Sequence, residues 1–152
     1  MKIVKSFGEE WRIDTLPAIQ AKVILDSNSR DGIFSSVSVF DCDKGFVRLD
    51  SDRLVDQYVK SWEWLAPLEV LAMEENFGFL REWRPVTLPS AMRGQSAGAA
   101  RYRAIDPLFG TLISENLATL HELRTVYSLQ DAFIMLDCMM VKKVNEFLAS
   151  PK

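Results

Sequence analysis

His121-Glu122 pairs the chain's single histidine with a carboxylate, the residue types of general acid–base chemistry. A zinc-protease helix would need a second histidine four residues on, and Thr125 stands there instead. Thr119 lies three residues before Glu122, the spacing of a helix capping box, and that accounts for the glutamate without catalysis. Asp41-Cys42-Asp43-Lys44-Gly45 gathers two carboxylates in a turn. A calcium loop would continue with oxygen ligands to a glutamate at its twelfth position. Here Phe46, Val47, Arg48 and Leu49 intervene and the twelfth residue is Asp52, so a polar hairpin turn is expected. Gly94-Gln95-Ser96-Ala97-Gly98 lacks the Lys-Ser/Thr of a phosphate loop. Cys42 and Cys138 stand far apart in unrelated contexts, with no metal or dithiol spacing. Cys138, among Leu136 and Met139, reads as a small buried hydrophobe. No catalytic, metal or cofactor residue is assigned, and an enzyme ranks last among the function classes.

Binding chemistry is better represented. Residues 84–104 hold four arginines and no acid. Tyr102 between Arg101 and Arg103 could stack on bases while the arginines meet phosphate. The whole chain carries −3, however, with no polycation signature. Nucleic acid therefore ranks behind an acidic protein surface as the partner of Arg93, Arg101 and Arg103, and a solvated linker ranks ahead of both. Charge is uneven along the chain: residues 1–83 carry −5 and residues 84–152 carry +2. Trp62, Trp64 and Trp83 with Phe77 and Phe79 read chiefly as core, with an interface as the other reading. Asp137 is the one carboxylate inside the last apolar stretch. It is expected either on a narrow polar side or paired with a basic residue of a partner or of the arm.

These groups need elements to hold them. At 152 residues the chain is one domain, or one domain with an appendage. Residues 2–13 alternate about Gly8-Glu9-Glu10, which predicts a β-hairpin. Thr15-Leu16-Pro17 opens a helix with Ala18, Ala21, Ile24 and Leu25 on one face. Residues 33–49 predict a second hairpin. Ser51 or Asp50 caps a helix whose stripe is Leu54, Val55, Tyr58, Val59 and Trp62. Pro67 is read as a break that restarts a helix, and Gly78 as its end.

The clearest punctuation is C-terminal. Asp106-Pro107, Thr119 and Ser128 each open a helix. The last helix is apolar over most of its circumference, too far round for a small helical unit to cover. The expected class is α+β, predominantly helical: an α+β part (1–83), a basic Gly/Pro/Ala linker or arm (84–104), and a helical block (105–152). The candidate apolar partner-binding residues are Phe109, Leu112, Leu136, Met139, Met140 and Val144. The basic ones are Arg93, Arg101 and Arg103. No apolar run approaches the ~20 residues of a membrane span, and MKIVKSFGEEW lacks the apolar core of a secretory signal, so a cytoplasmic location is expected.

FGEEWRIDTLPAIQA, ENFGFLREWRP, a Gly/Ala/Pro linker and ATLHELRTVYSLQDAFIMLDCMMVKKVNEFLA, in that order, resemble small proteins of tailed bacteriophages and prophages, usually described as tail assembly chaperones or simply as tail-region proteins. The resemblance covers most of the chain, best at 7–20, 76–85 and 117–149. It implies a non-catalytic, oligomeric protein in the host cytoplasm that coats the tape measure protein until tube subunits replace it. Many weak contacts along one long helix would add up through multivalency. Two other classes remain open. One is a structural virion subunit of tail, connector or baseplate, locked to a neighbour by the basic arm. The other is a small nucleic-acid-binding regulator using helices within 120–148.

Overall fold

The structure, a computed structural model, describes residues 1–27, 32–93 and 102–150. Strands β1 (Lys2–Ser6) and β2 (Glu9–Ile13) form the first expected hairpin. Its turn is Phe7-Gly8, one residue earlier than the acidic pair suggested. Both residues take positive φ, 58° and 79°, as the tightest hairpin loops require. A bulky side chain is rare there. Phe7 stacks its ring on Trp64 at 5.1 Å and 13°, a contact that offsets the backbone cost.

The second hairpin is shorter than expected. Ile33–Ser36 forms a 3-10 turn, and only then do β3 (Val37–Asp41) and β4 (Gly45–Arg48) pair. The Ser36 hydroxyl donates to the Ile33 carbonyl at 2.7 Å, closing that turn locally. Pairing of β2 with β3 fuses the hairpins into one antiparallel sheet of order β1-β2-β3-β4. The register aligns Val4, Trp11, Val39 and Val47 on one face. Trp11 and Val39 on that face are buried.

Helix α1 (Ala18–Ser27) follows β2 and buries Ala18, Ala21 and Ile24. The middle helices differ from the sequence expectation. Helix α2 (Asp52–Tyr58) stops short of Trp62, and α3 (Trp62–Phe77) carries Pro67 inside it. The break falls instead at 59–61, where the Ser61 hydroxyl accepts from the Glu63 amide and caps a new helix. Proline costs a helix most where its missing hydrogen bond is buried. Here Pro67 and Glu63 are both exposed.

Asn76, near the end of α3, is the principal polar link of this half. It is 6% exposed. Its Oδ1 accepts from the Leu16 amide at 2.6 Å, and its Nδ2 donates to the Ala72 and Asp14 carbonyls at 2.9 and 3.3 Å. The connection from β2 to α1 is therefore held by one side chain sixty residues on.

The helical block matches its punctuation. Asp106 accepts from the Leu108 amide and Pro107 opens α5 (Pro107–Ser114). Thr119 with Glu122 caps α6 (Leu120–Thr125), and Ser128 with Asp131 caps α7 (Leu129–Ala149), both as reciprocal boxes. A single turn, α4 (Ser90–Arg93), interrupts the segment read as linker. One continuous core joins sheet, α1, α3 and the C-terminal helices, from Trp11 and Ile13 through Leu68 and Ala72 to Leu112, Leu123 and Leu129. Ties cross between the two halves outside that core as well. The Ala18 amide donates to the Tyr127 carbonyl at 2.8 Å. Lys22 Nζ lies 3.2 Å from Asp106 Oδ2, and Trp83 Nε1 donates to Asp137 Oδ2 at 2.8 Å. The architecture is thus α+β and mostly helical.

Candidate functional site

The two carboxylates singled out by the sequence, Glu122 and Asp41, are occupied by the fold. Glu122 Oε2 accepts from the Thr119 amide and hydroxyl, each at 2.8 Å. The amide bond first, then the hydroxyl, holds its carboxyl below the usual range. Neighbouring His121 is exposed on α6. Asp41 accepts from the Tyr58 hydroxyl at 2.8 Å and from the Asp43 and Lys44 amides at 2.9 and 3.1 Å. The tyrosine bond chiefly depresses the Asp41 carboxyl, and the same bond raises the phenol. A carboxylate spent on its own turn is poorly placed to hold an ion. No group of three or more potential metal ligands occurs among the described residues.

Cys138 differs from its expectation: it is exposed, as is Cys42, and both are free thiols. It lies on the outward face of α7, where sequence alone could not tell inside from outside. Asp137 adopts neither expected role. It is half-buried and takes the Trp83 indole, so the apolar stretch around it is a docking seat for the end of the N-terminal half. Trp83 also meets Phe133 edge-on at 4.7 Å.

In the basic segment, Arg93 ends α4, Arg101 lies outside the described residues, and Arg103 is exposed. The glycine-rich stretch 94–98 also lies outside them. Tyr102 is not free to interleave with the arginines. Its ring covers Gly110 of α5 so closely that a Cβ there would sit 2.6 Å from it, and its hydroxyl meets Ser114 Oγ at 2.5 Å.

The six apolar candidates divide by depth. Phe109 and Leu112 are core, at 2% and 0% exposure, and Met139 is buried at 7%. Leu136, Met140 and Val144 are half-buried. A side chain already packed in its own core can meet a partner only after that core opens.

Comparison with family models, with curated proteins and with solved structures gave no match. The chain's own surface is then the guide.

Among the described helices, α3 and α7 present open apolar faces. The first is on α3, where Trp62, Ala66, Val70, Met73 and Phe77 recur at spacings of four and three and so share one side of the helix. Trp62 is 78% exposed and Val70 66%. The end of this side deepens into a groove of about 330 Å³ lined by Val70, Met73, Phe77 and Gly78, with Glu69, Glu74 and Arg81 on its rim. Arg81 pairs with Glu74. Glu63 adds a third acid along this side of the helix. A break placed at Pro67 hides this stripe from sequence analysis, because it runs straight through the proline.

The second open face is on α7. Ile134, Val141 and Leu148 are 52%, 47% and 66% exposed and recur every seven residues. Val141 and Leu148 lie three and four residues from the candidate Val144, so apolar spacing alone merges them with the inward stripe, and Leu148, expected to widen that stripe, faces out. Of the described helices, none is long and apolar enough to cross a membrane.

Proposed function

We propose that this protein is a non-catalytic assembly factor of a phage tail, a chaperone that holds apolar helical segments of the tape measure protein. The observation that carries the reading is the open side of α3. An exposed tryptophan followed by Ala66, Val70 and Met73 and ending in a groove offers anchors at the spacing of an amphipathic helix. Tryptophan is the residue most enriched among binding hot spots. Of the acids along this side, Glu74 is already paired with Arg81, and Glu63 and Glu69 favour a segment whose apolar stripe is flanked by lysine or arginine. One such site binds weakly, and many copies along a long helix hold it firmly. The identification of the client as a tape measure protein rests on the sequence resemblance.

The test has two arms. Titration with an amphipathic helical peptide bearing basic flanks, taken from the tape measure protein of a tailed phage, should shift Trp62 emission to the blue. Val70→Asp, which keeps Trp62 as the reporter, should abolish that shift. Mass spectrometry of purified particles should find the protein missing. Its presence in many copies at fixed stoichiometry would replace this reading with the structural-subunit alternative.

A further inference from the structure

We propose that the outward face of α7 is a self-association seam, on which a second copy of this chain lays its own α7 in parallel. The sequence there reads as a short coiled coil. Ile134, Val141 and Leu148 occupy one position of a seven-residue repeat, and Cys138 and Asn145, four residues after the first two, occupy the other. All three aliphatic residues are exposed, Cys138 is exposed and so is Asn145. Leu117, 39% exposed, lies beside Cys138 across a shallow pocket of about 260 Å³ and widens the apolar strip. One flank of the strip is fixed by the Trp83–Asp137 contact.

Charge selects both the occupant and its direction. In a parallel pair, the residue before each Cys-type position faces the residue five places on in the other chain. Asp137 of one copy then faces Lys142 of the second, and symmetry repeats the pair. Asp137 engages Trp83 through Oδ2, which leaves Oδ1 for the ammonium. Lys142 is 76% exposed, with only Glu146 at 3.9 Å beside it. An antiparallel pair centred on Val141 would instead bring Lys142 against Lys142. Parallel pairing also sets Asn145 opposite Asn145, where the two amides hydrogen-bond each other, and Cys138 opposite Cys138. A lone asparagine at this position of the repeat is a device that fixes register in two-stranded coils. The seam is short, so the pair is weak and concentration-dependent. It leaves the open side of α3 free, and it does not rest on the tail-assembly reading.

The experiment uses the full chain with Cys42→Ser, which leaves Cys138 as the one thiol. Sedimentation equilibrium across a wide concentration range should show reversible dimers. Copper–phenanthroline with dioxygen, which takes up the two electrons and two protons lost by a pair of thiols, should join Cys138 to Cys138 in most of the protein at concentrations where dimer is present. Val141→Asp should remove both signals while circular dichroism and the melting point stay near the parent values. A strict monomer at every concentration with no cross-link would overturn the proposal. In a Cys42→Ser, Asn145→Cys chain, a 138–145 cross-link formed in preference to 138–138 would overturn the parallel arrangement. If Val141→Asp is monomeric only because it unfolds, the cross-link in the parent surface, which needs no change in the strip, still decides.

Discussion

The sheet half and the C-terminal helices are stabilised by different kinds of contact. In the sheet half the decisive interactions join residues far apart in sequence: Asn76 with Leu16 and Asp14, Trp64 with Phe7 and Trp11. In the C-terminal block the helix starts are fixed by side chains bonding backbone two or three residues away, at Asp106, Thr119 and Ser128. One half is specified by topology, the other by local punctuation. Both still feed a single core.

The sharpest way to break this contrast is to remove a large core residue from each side. Trp11→Ala and Leu112→Ala should each cost about 3–5 kcal/mol. Because the core is continuous, each should lower one common urea transition seen alike by tryptophan emission and far-ultraviolet dichroism. Two separate transitions would show that the halves fold independently.

Next in size is Asn76→Ala. It strands the buried Leu16 amide and the Asp14 carbonyl, at about 1–3 kcal/mol for each group left unsatisfied. An effect no larger than that of a surface substitution would mean that water replaces the side chain and that the long-range link is dispensable.

Local caps should matter less. Thr119→Ala and Ser128→Ala should each cost about 1 kcal/mol. Their effects should add in the double variant, since each bonds its own helix. Strong coupling between them would make the block less local than its hydrogen bonds imply.

The smallest expected effects are those of pH, because each of the groups keeps contact with solvent, which screens its charge. Asp41 and Glu122 have carboxyls held below their ordinary values of 3.8 and 4.5. The stability they give is present above those values and fades as pH falls through the lower folded-state values. Burial pulls Lys22 down, yet bonds to Asp26 and Asp106 outweigh it and hold the amine above 10.5. That contribution is complete below 10.5 and fades as pH rises through the folded-state value. Melting points should therefore decline at both extremes and stay level between them. A slope near neutrality would point to groups other than these three.

The same contrast explains what could be foreseen. Caps are legible because donor and acceptor lie within three residues, so Asp106, Thr119 and Ser128 mark true helix starts. The hairpins are legible because alternation has a period of two, although the exchange of Ile33–Ser36 for a 3-10 turn depends on Ser36 closing locally. Asn76 was not legible as a link, since Leu16 and Asp14 precede it by about sixty residues. Asp137 looked like a surface or partner-facing charge because its partner, Trp83, belongs to the other half. For the same reason the apolar pattern of α7 shows how much of it is apolar but not which side the sheet half covers. Met139 went inside, and Ile134 and Val141 stayed out. The α3 face was hidden by a sound rule: proline does break helices, except where the carbonyl it abandons lies on the outer side.

The tight turn at Phe7-Gly8 has an optical consequence. Its phenyl ring lies nearly flat on Trp64, and Trp64 meets Trp11 at 6.3 Å and 82°. Three aromatic chromophores in fixed, chiral arrangement couple their transitions. The coupled bands in near-ultraviolet circular dichroism would form only when the first hairpin is seated on α3. Trp62, projecting into solvent two residues earlier, contributes emission but little of that dichroism. Peptide titration at the α3 face and hairpin seating can thus be followed separately in the unlabelled protein, one by colour and the other by handedness.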